Sequence, residues 1–156
     1  MSEHKLKIGI AQGDPNGIGW ETIVKALSDT RMTELCTPVI YGSAKAADYY
    51  RKTVAEAEEF QPHSIASAAE ARQGKVCMVV CGEVDEVTPG KATPQAGRAA
   101  VEALRRAVEE LKAGNSEFKK AAEQTMAALR DMGMEELEYF TENFLPAFSL
   151  TLDELQ

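Results

Sequence analysis

A chain of 156 residues and 17.0 kDa is long enough for one domain, or one domain with an appendage. Its 44% hydrophobic and 27% charged content excludes a disordered chain, and no apolar run reaches the ~18–20 residues of a membrane span. A formal net charge of −8 at pH 7 speaks against a nucleic-acid surface, which needs clustered Lys and Arg.

The opening residues, MSEHKLKIGI, hold no leader-like apolar stretch, so the expected location is the cytoplasm, with no membrane partner. Leu6, Ile8 and Ile10 alternate with Lys5, Lys7 and Gly9, which predicts a first strand. A glycine-rich loop follows, Gln12-Gly13-Asp14-Pro15-Asn16-Gly17-Ile18-Gly19. It joins the end of a strand to the start of a helix. Ligands of open α/β sheets gather at that edge, and free N–H groups there favour an anion. The spacing is neither the dinucleotide fingerprint nor a P-loop. Gly13, Asp14, Asn16, Gly17, Gly19 and Glu21 are the ligand-binding candidates. A tight strand–helix turn that needs glycine, with Glu21 offsetting the helix dipole, explains the same residues without a ligand.

A helix over Trp20–Leu27 places Trp20, Ile23, Val24 and Leu27 on one face. Thr37–Tyr41 reads as a second strand, and Gly42-Ser43 turns the chain into a helix over Ala44–Lys52. Pro62 breaks the next stretch, His63 is expected in a surface loop, and Ser64–Ala71 reads as a short helix or turn. Lys75–Cys81 is an unbroken apolar run, as in a central strand covered on both faces. Cys77 and Cys81 share one face of it but stand too far apart to pair or to bind one metal, and Cys36 makes an odd third. No metal site and no catalytic constellation can be assembled from the two histidines, His4 and His63, and their neighbours.

Residues 82–94 read as loop, with Thr93 or a neighbour as helix cap and Pro94 in the first turn. A long helix over Gln95–Ala113 carries the apolar stripe Ala100, Val101, Leu104, Val108 and Leu111, and Gly114 is its stop. Strand–helix alternation predicts an α/β, three-layer-type fold with a mostly parallel sheet.

The balance then shifts. Residues 1–114 hold 14 basic and 16 acidic side chains, and residues 115–156 hold 3 and 9. Ten of the eleven glycines lie in the first segment. Two amphipathic helices are expected over 117–132 and 135–145, with four phenylalanines from Phe118 to Phe148. We divide the chain into an α/β domain, 1–114, and an acidic helical extension, 115–156; a single domain ending in an acidic helix pair fits the same pattern.

The stretch Lys7-Ile8-Gly9-Ile10-Ala11-Gln12-Gly13-Asp14-Pro15-Asn16-Gly17-Ile18-Gly19-Trp20-Glu21 resembles the N-terminal signature of the 4-hydroxythreonine-4-phosphate dehydrogenase (PdxA) family of vitamin B6 biosynthesis. The resemblance continues through Cys36–Ser43 and through Gly90–Ala100 to Gly114. It implies half of an isocitrate dehydrogenase-like enzyme. Such an enzyme works as a homodimer and uses NAD and a divalent metal to oxidise a phosphorylated hydroxy amino acid. Trp20 departs from it, standing where the family commonly has proline. The later Thr-x-Pro-x-x-Lys and Gly-His-Thr-Glu segments and the three metal-binding histidines have no counterpart here, since no histidine follows His63. No catalytic residue carries over. The expectation is a truncated module that does not turn over alone and is completed by a second copy or a partner chain. The alternative is a non-catalytic binding or interaction module, natural or chimeric, on the same scaffold.

Overall fold

The computed structural model describes residues 5–55, 57 and 59–114. The chain divides into two units, Met1–Gly114 and Asn115–Gln156, and the described elements all belong to the first. His4 and the helices expected over 117–132 and 135–145 lie outside the described residues.

The elements run β1 (Lys7–Ala11), α1 (Gly19–Leu27), α2 (Arg31–Leu35), β2 (Thr37–Gly42), α3 (Ala44–Thr53), β3 (His63–Ile65), a 3-10 turn (Ala68–Glu70), β4 (Cys77–Val80) and α4 (Pro94–Gly114). The strands form one sheet in the order β1-β2-β4-β3, and every pairing is parallel. The register aligns Ile10 with Ile40 and Ile40 with Met78, so these three share one face. Gly9, Val39, Cys77 and His63 align on the other. The fold is α/β, as its alternating pattern required.

Each sheet face has its own core. On one, Trp20, Ile23, Val24 and Leu27 of α1 and Ala46, Ala47 and Tyr50 of α3 pack with Ile40, Met78 and Phe60. On the other, Ala103 and Ala107 of α4 pack with Val39, Tyr41, Cys77 and Val79. Fully burying a side chain of Val, Leu or Ile size contributes about 1.5–3 kcal/mol, so the covered faces of β2 and β4 hold the sheet together. β2 is buried along its whole length, as is β4 except at Val80. The apolar run of β4 did mark an interior strand. Edge strand β1 is different: Ile8 and the preceding Leu6 are exposed, and only Ile10 joins the core.

Three readings need correction. His63 is not in a loop, because it opens β3, and Ser64 continues that strand before the 3-10 turn. A three-residue edge strand is too short to show a period. The second correction is α2, an additional short helix before β2.

The third concerns α4. Its boundaries and its Thr93 cap were legible: Thr93 Oγ1 accepts from Ala96 N at 3.1 Å, with Pro94 in the first turn. Its buried face was not. The helix buries Ala96, Ala99 and Ala103 and sets Ala103 and Ala107 on the sheet, whereas Val101 is 67%, Leu104 51% and Leu111 40% exposed. Alanine lets the helix lie close against the strands. The larger side chains would hold it off.

Candidate functional site

The strands all point the same way, so the loops after β1, β2 and β4 gather at one edge of the sheet. One buried side chain ties them. Gln12 is the residue after β1, and its main-chain N–H extends the ladder to Tyr41 O at 2.9 Å. Its amide Oε1 accepts from Trp20 Nε1 at 2.8 Å and from Ser43 N at 2.8 Å. Its Nε2 donates to Gly82 O at 3.0 Å and Ala99 O at 3.3 Å. An amide offers two donors and two acceptor sites, and all four are used here. Gln12 therefore joins the ends of β1, β2 and β4 to both α1 and α4.

Glycines make room for this junction. A Cβ on Gly19 would stand 2.7 Å from Gln12 O, and one on Gly82, where φ is +57°, would collide with Ala99 O.

The six residues proposed from sequence divide by what their groups already do. Asn16 is buried and fully engaged. Its Oδ1 accepts from Thr88 N at 2.8 Å, its Nδ2 donates to Lys91 O at 3.0 Å, and its carbonyl accepts from Gly90 N at 2.8 Å. It clamps the 12–19 loop to the loop after β4. Asp14 is exposed and folds the turn: Oδ1 accepts from Asn16 N at 2.8 Å, and its carbonyl accepts from Gly17 N at 2.9 Å. Gly17 O and Pro15 O both accept from the Tyr50 hydroxyl, at 3.2 and 3.0 Å. Glu21 faces solvent and pairs with Lys25 one turn on. Gly13 has φ +67° and nothing within 4 Å of a built Cβ, so its backbone is open to solvent. Gly19 opens α1, whose N-cap residue Ile18 provides no side-chain cap. The open groups are thus the backbone of Gly13, the exposed Asp14 and the uncapped start of α1.

Sequence reasoning passed over the centre of the edge. The connection after β2 runs through α3 on one face, and that after β4 runs through α4 on the other. Such a reversal opens a crevice between the two strand ends in open α/β sheets. Here Glu83 fills it: one carboxylate oxygen accepts from Ser43 Oγ at 2.7 Å and the other from Ala44 N at 2.8 Å. Ser43 also caps α3 through Ala46 N. Lys45 Nζ donates to Asp85 O at 2.8 Å, and Asp85 Oδ2 accepts from Gln95 at 2.8 Å. Gly42-Ser43 after one strand and Gly82-Glu83 after the next were the available signal.

Glu83 and Asp85 at this edge are committed to protein donors, while Asp14 uses one carboxylate oxygen on the Asn16 N–H. Among the described residues, no group of three or more His, Cys, Asp or Glu is placed to hold a metal ion. The edge as built, among the described residues, does not fit a divalent cation. A depression of about 320 Å³, lined by residues including Leu27, Phe60, His63 and Lys75, lies at the opposite end of the strands, away from these loops.

Three titrations belong to the α4 face. Burial, then the adjoining Glu110 carboxylate, pushes the Tyr41 hydroxyl well above its ordinary value. Burial alone would raise Glu110. The Ala68 N–H, the Tyr41 hydroxyl and the Arg106 guanidinium outweigh it and hold the carboxyl below its usual range. Burial raises the Cys81 thiol, so it is poor in thiolate.

The family model described as "YfbR-like: 5'-deoxynucleotidase YfbR-like" matches residues 12–148. The chain is similar to 4-hydroxythreonine-4-phosphate dehydrogenase of Bacteroides thetaiotaomicron, at 47% identity over 100 residues, 63% of this chain and 27% of that protein. It is 30% identical over 98 residues to D-threonate 4-phosphate dehydrogenase of Cupriavidus necator, 62% of this chain and 29% of that one. The crystal structure of a 4-hydroxythreonine-4-phosphate dehydrogenase from Burkholderia phymatum superposes with a TM-score of 0.64 at 32% identity, over 72% of this chain and 34% of the other. The chain thus spans 27–34% of the length of these relatives.

Proposed function

From the premise that the chain belongs to the family described as YfbR-like and that its N-terminal part is a 4-hydroxythreonine-4-phosphate dehydrogenase (PdxA) module, we propose that it is one wall of a dehydrogenase cleft, not catalytic alone. The observation behind this reading is the edge gathered by Gln12, with Gly13 and the start of α1 left open beside it. A strand-end edge of this kind suits the phosphate of a small hydroxy acid, through backbone N–H groups.

The two sources of likeness point to different chemistry. The family description names a nucleotidase, whereas the relatives are named as dehydrogenases. We give the relatives more weight, because they align residue by residue at 30–47% identity and the solved one shares the α/β fold. Both kinds of name share a substrate class, a small phosphate-bearing molecule, and that is the class we assign to this edge.

Oxidising an alcohol next to a departing carboxylate requires an acceptor for hydride, a proton acceptor and a group to hold the developing oxyanion. Glu83 and Asp85 are engaged with protein donors and Asp14 stands apart on the exposed loop, so this edge supplies neither a poised proton acceptor nor a metal cradle. A completing chain would have to bring them, and NAD would dock only in the completed cleft. The second reading, a binding or interaction module, keeps the same edge without turnover by any assembly.

The test is the purified chain with 4-phosphooxy-threonine, NAD and added divalent metal, followed by NADH absorbance. A parallel assay follows phosphate release from deoxynucleoside monophosphates. We expect no NADH from the chain alone and recovery when a chain carrying the later dehydrogenase segments is added. NADH formed by the chain alone overturns the reading. Phosphate release would favour the nucleotidase description.

A further inference from the structure

Asn16 and Gly17 make a chemically labile pair. Asparagine is heat-sensitive, and a following glycine has no Cβ to keep its backbone nitrogen away from the asparagine carboxamide. The two can then close a five-membered ring. Of the three asparagines, Asn16, Asn115 and Asn143, only Asn16 precedes glycine. The turn itself favours glycine there, since a Cβ on residue 17 would stand 3.3 Å from Asp14 O.

The fold holds each group that this ring closure needs. Asn16 is buried. Its Nδ2, the leaving group, donates to Lys91 O at 3.0 Å, and its Oδ1 accepts from Thr88 N at 2.8 Å. The peptide group between the two residues is bonded at both ends. Asn16 O accepts from Gly90 N at 2.8 Å, and Gly17 N, the nucleophile, donates to Asp14 O at 2.9 Å. The Tyr50 hydroxyl, against Pro15 O and Gly17 O, pins the chain on either side.

We propose that Asn16-Gly17 is a deamidation site gated by the clamp: the amide is lost only when the 12–19 loop opens away from the loop after β4, and its loss then keeps the two loops apart. The site does not depend on what the strand-end edge binds.

In the opened loop Gly17 N gives up its proton and attacks Asn16 Cγ. The N–Cγ bond forms, the Cγ–Nδ2 bond breaks, and Nδ2 leaves as ammonia with that proton. Water then opens the succinimide. Addition at Cγ yields aspartate. Addition at the main-chain carbonyl carbon yields isoaspartate, with one more methylene in the backbone.

Neither product closes the clamp again. Aspartate puts a carboxylate where Nδ2 donated, and a carboxylate offers Lys91 O no hydrogen. Two oxygens would meet in a buried place, and burying a charge without a full set of partners is costly. Isoaspartate lengthens the main chain between Pro15 and Gly17, so the bonds to Asp14 and Gly90 lose their register.

Peptide mapping by mass spectrometry tests the gating, with the full chain and a free peptide of residues 11–20 held at the same mildly alkaline pH. The folded chain should lose the Asn16 amide at least about tenfold more slowly than the peptide, because the rate follows the open population. Urea below the unfolding transition should speed it. Equal rates in chain and peptide overturn the proposal. So does a chain that loses the amide only across global unfolding. Hydrogen exchange tests the consequence, on the deamidated chain and on Asn16→Asp, with circular dichroism to check the fold. The Gly17 and Gly90 amides should exchange at least about tenfold faster than in the intact chain, while those of β2 and β4 keep their protection. Unchanged protection at Gly90 in the deamidated chain would overturn the one-way opening.

Discussion

Trp20 and Gln12 are joined by a buried hydrogen bond of 2.8 Å, indole N–H to amide oxygen. Through it, the helix after the glycine-rich loop is tied to the strand before it. The same amide reaches the ends of two other strands and the backbone of α4.

Replacing that amide should therefore be costly. In Gln12→Leu, two N–H donors and two carbonyl acceptors lose their partner, and each buried group left unpaired costs about 1–3 kcal/mol before relaxation. A net loss of about 2–4 kcal/mol in urea unfolding is expected. A change under about 0.5 kcal/mol would show that water replaces the amide without loss.

The glycines offer a contrast. Gly19→Ala brings a Cβ to 2.7 Å from Gln12 O and should destabilise by roughly 1–3 kcal/mol. Gly97, in the first turns of α4, has nothing within 4 Å of a built Cβ. Gly97→Ala should stabilise by about 0.4–1 kcal/mol, through a less flexible unfolded chain. Thermal unfolding of the two variants should move in opposite directions.

Asn16→Ala releases the side-chain clamp on Thr88 and Lys91 and leaves the main-chain bond to Gly90 in place. Amide hydrogen exchange should accelerate at Thr88, whose N–H loses its acceptor, while amides of β2 and β4 keep their protection. Equal acceleration everywhere would mean that Asn16 supports the whole domain and not one loop.

Glu110 gives the domain an acid sensitivity of known sign. Its folded pKa lies below the ordinary 4.5, so the unfolded chain binds its proton first. The stabilisation it provides is present above pH 4.5 and is lost as the pH falls through the lower, folded value. Glu110→Gln should flatten the stability curve in that window and leave Tyr41 easier to ionise. Urea unfolding between pH 6 and about 3 measures the first effect, since Glu titrates in that range. Absorbance of ionised tyrosine measures the second.

Much of the first unit was readable in the chain. Alternation of apolar and polar residues marked β1, and the unbroken run through Val79 placed β4 inside the sheet. Cap and stop residues bounded α4 closely. Gly13–Gly19 was recognised as the loop between strand and helix, because glycine and proline act through local backbone geometry.

What only the tertiary structure decided is which groups meet. Gln12 looked like one more loop residue, yet its partners include residues 31, 70 and 87 positions away. Glu83 reads as a charged loop residue until β2 and β4 lie side by side and bring it to the start of α3. The periodicity of α4 showed an apolar stripe but not its neighbour. Whether valine and leucine or alanine meets the sheet depends on how close helix and strands must come. Local sequence sets the backbone's preferences over a few residues. Close packing between segments distant along the chain chooses which face is covered and which polar atoms are left for a ligand.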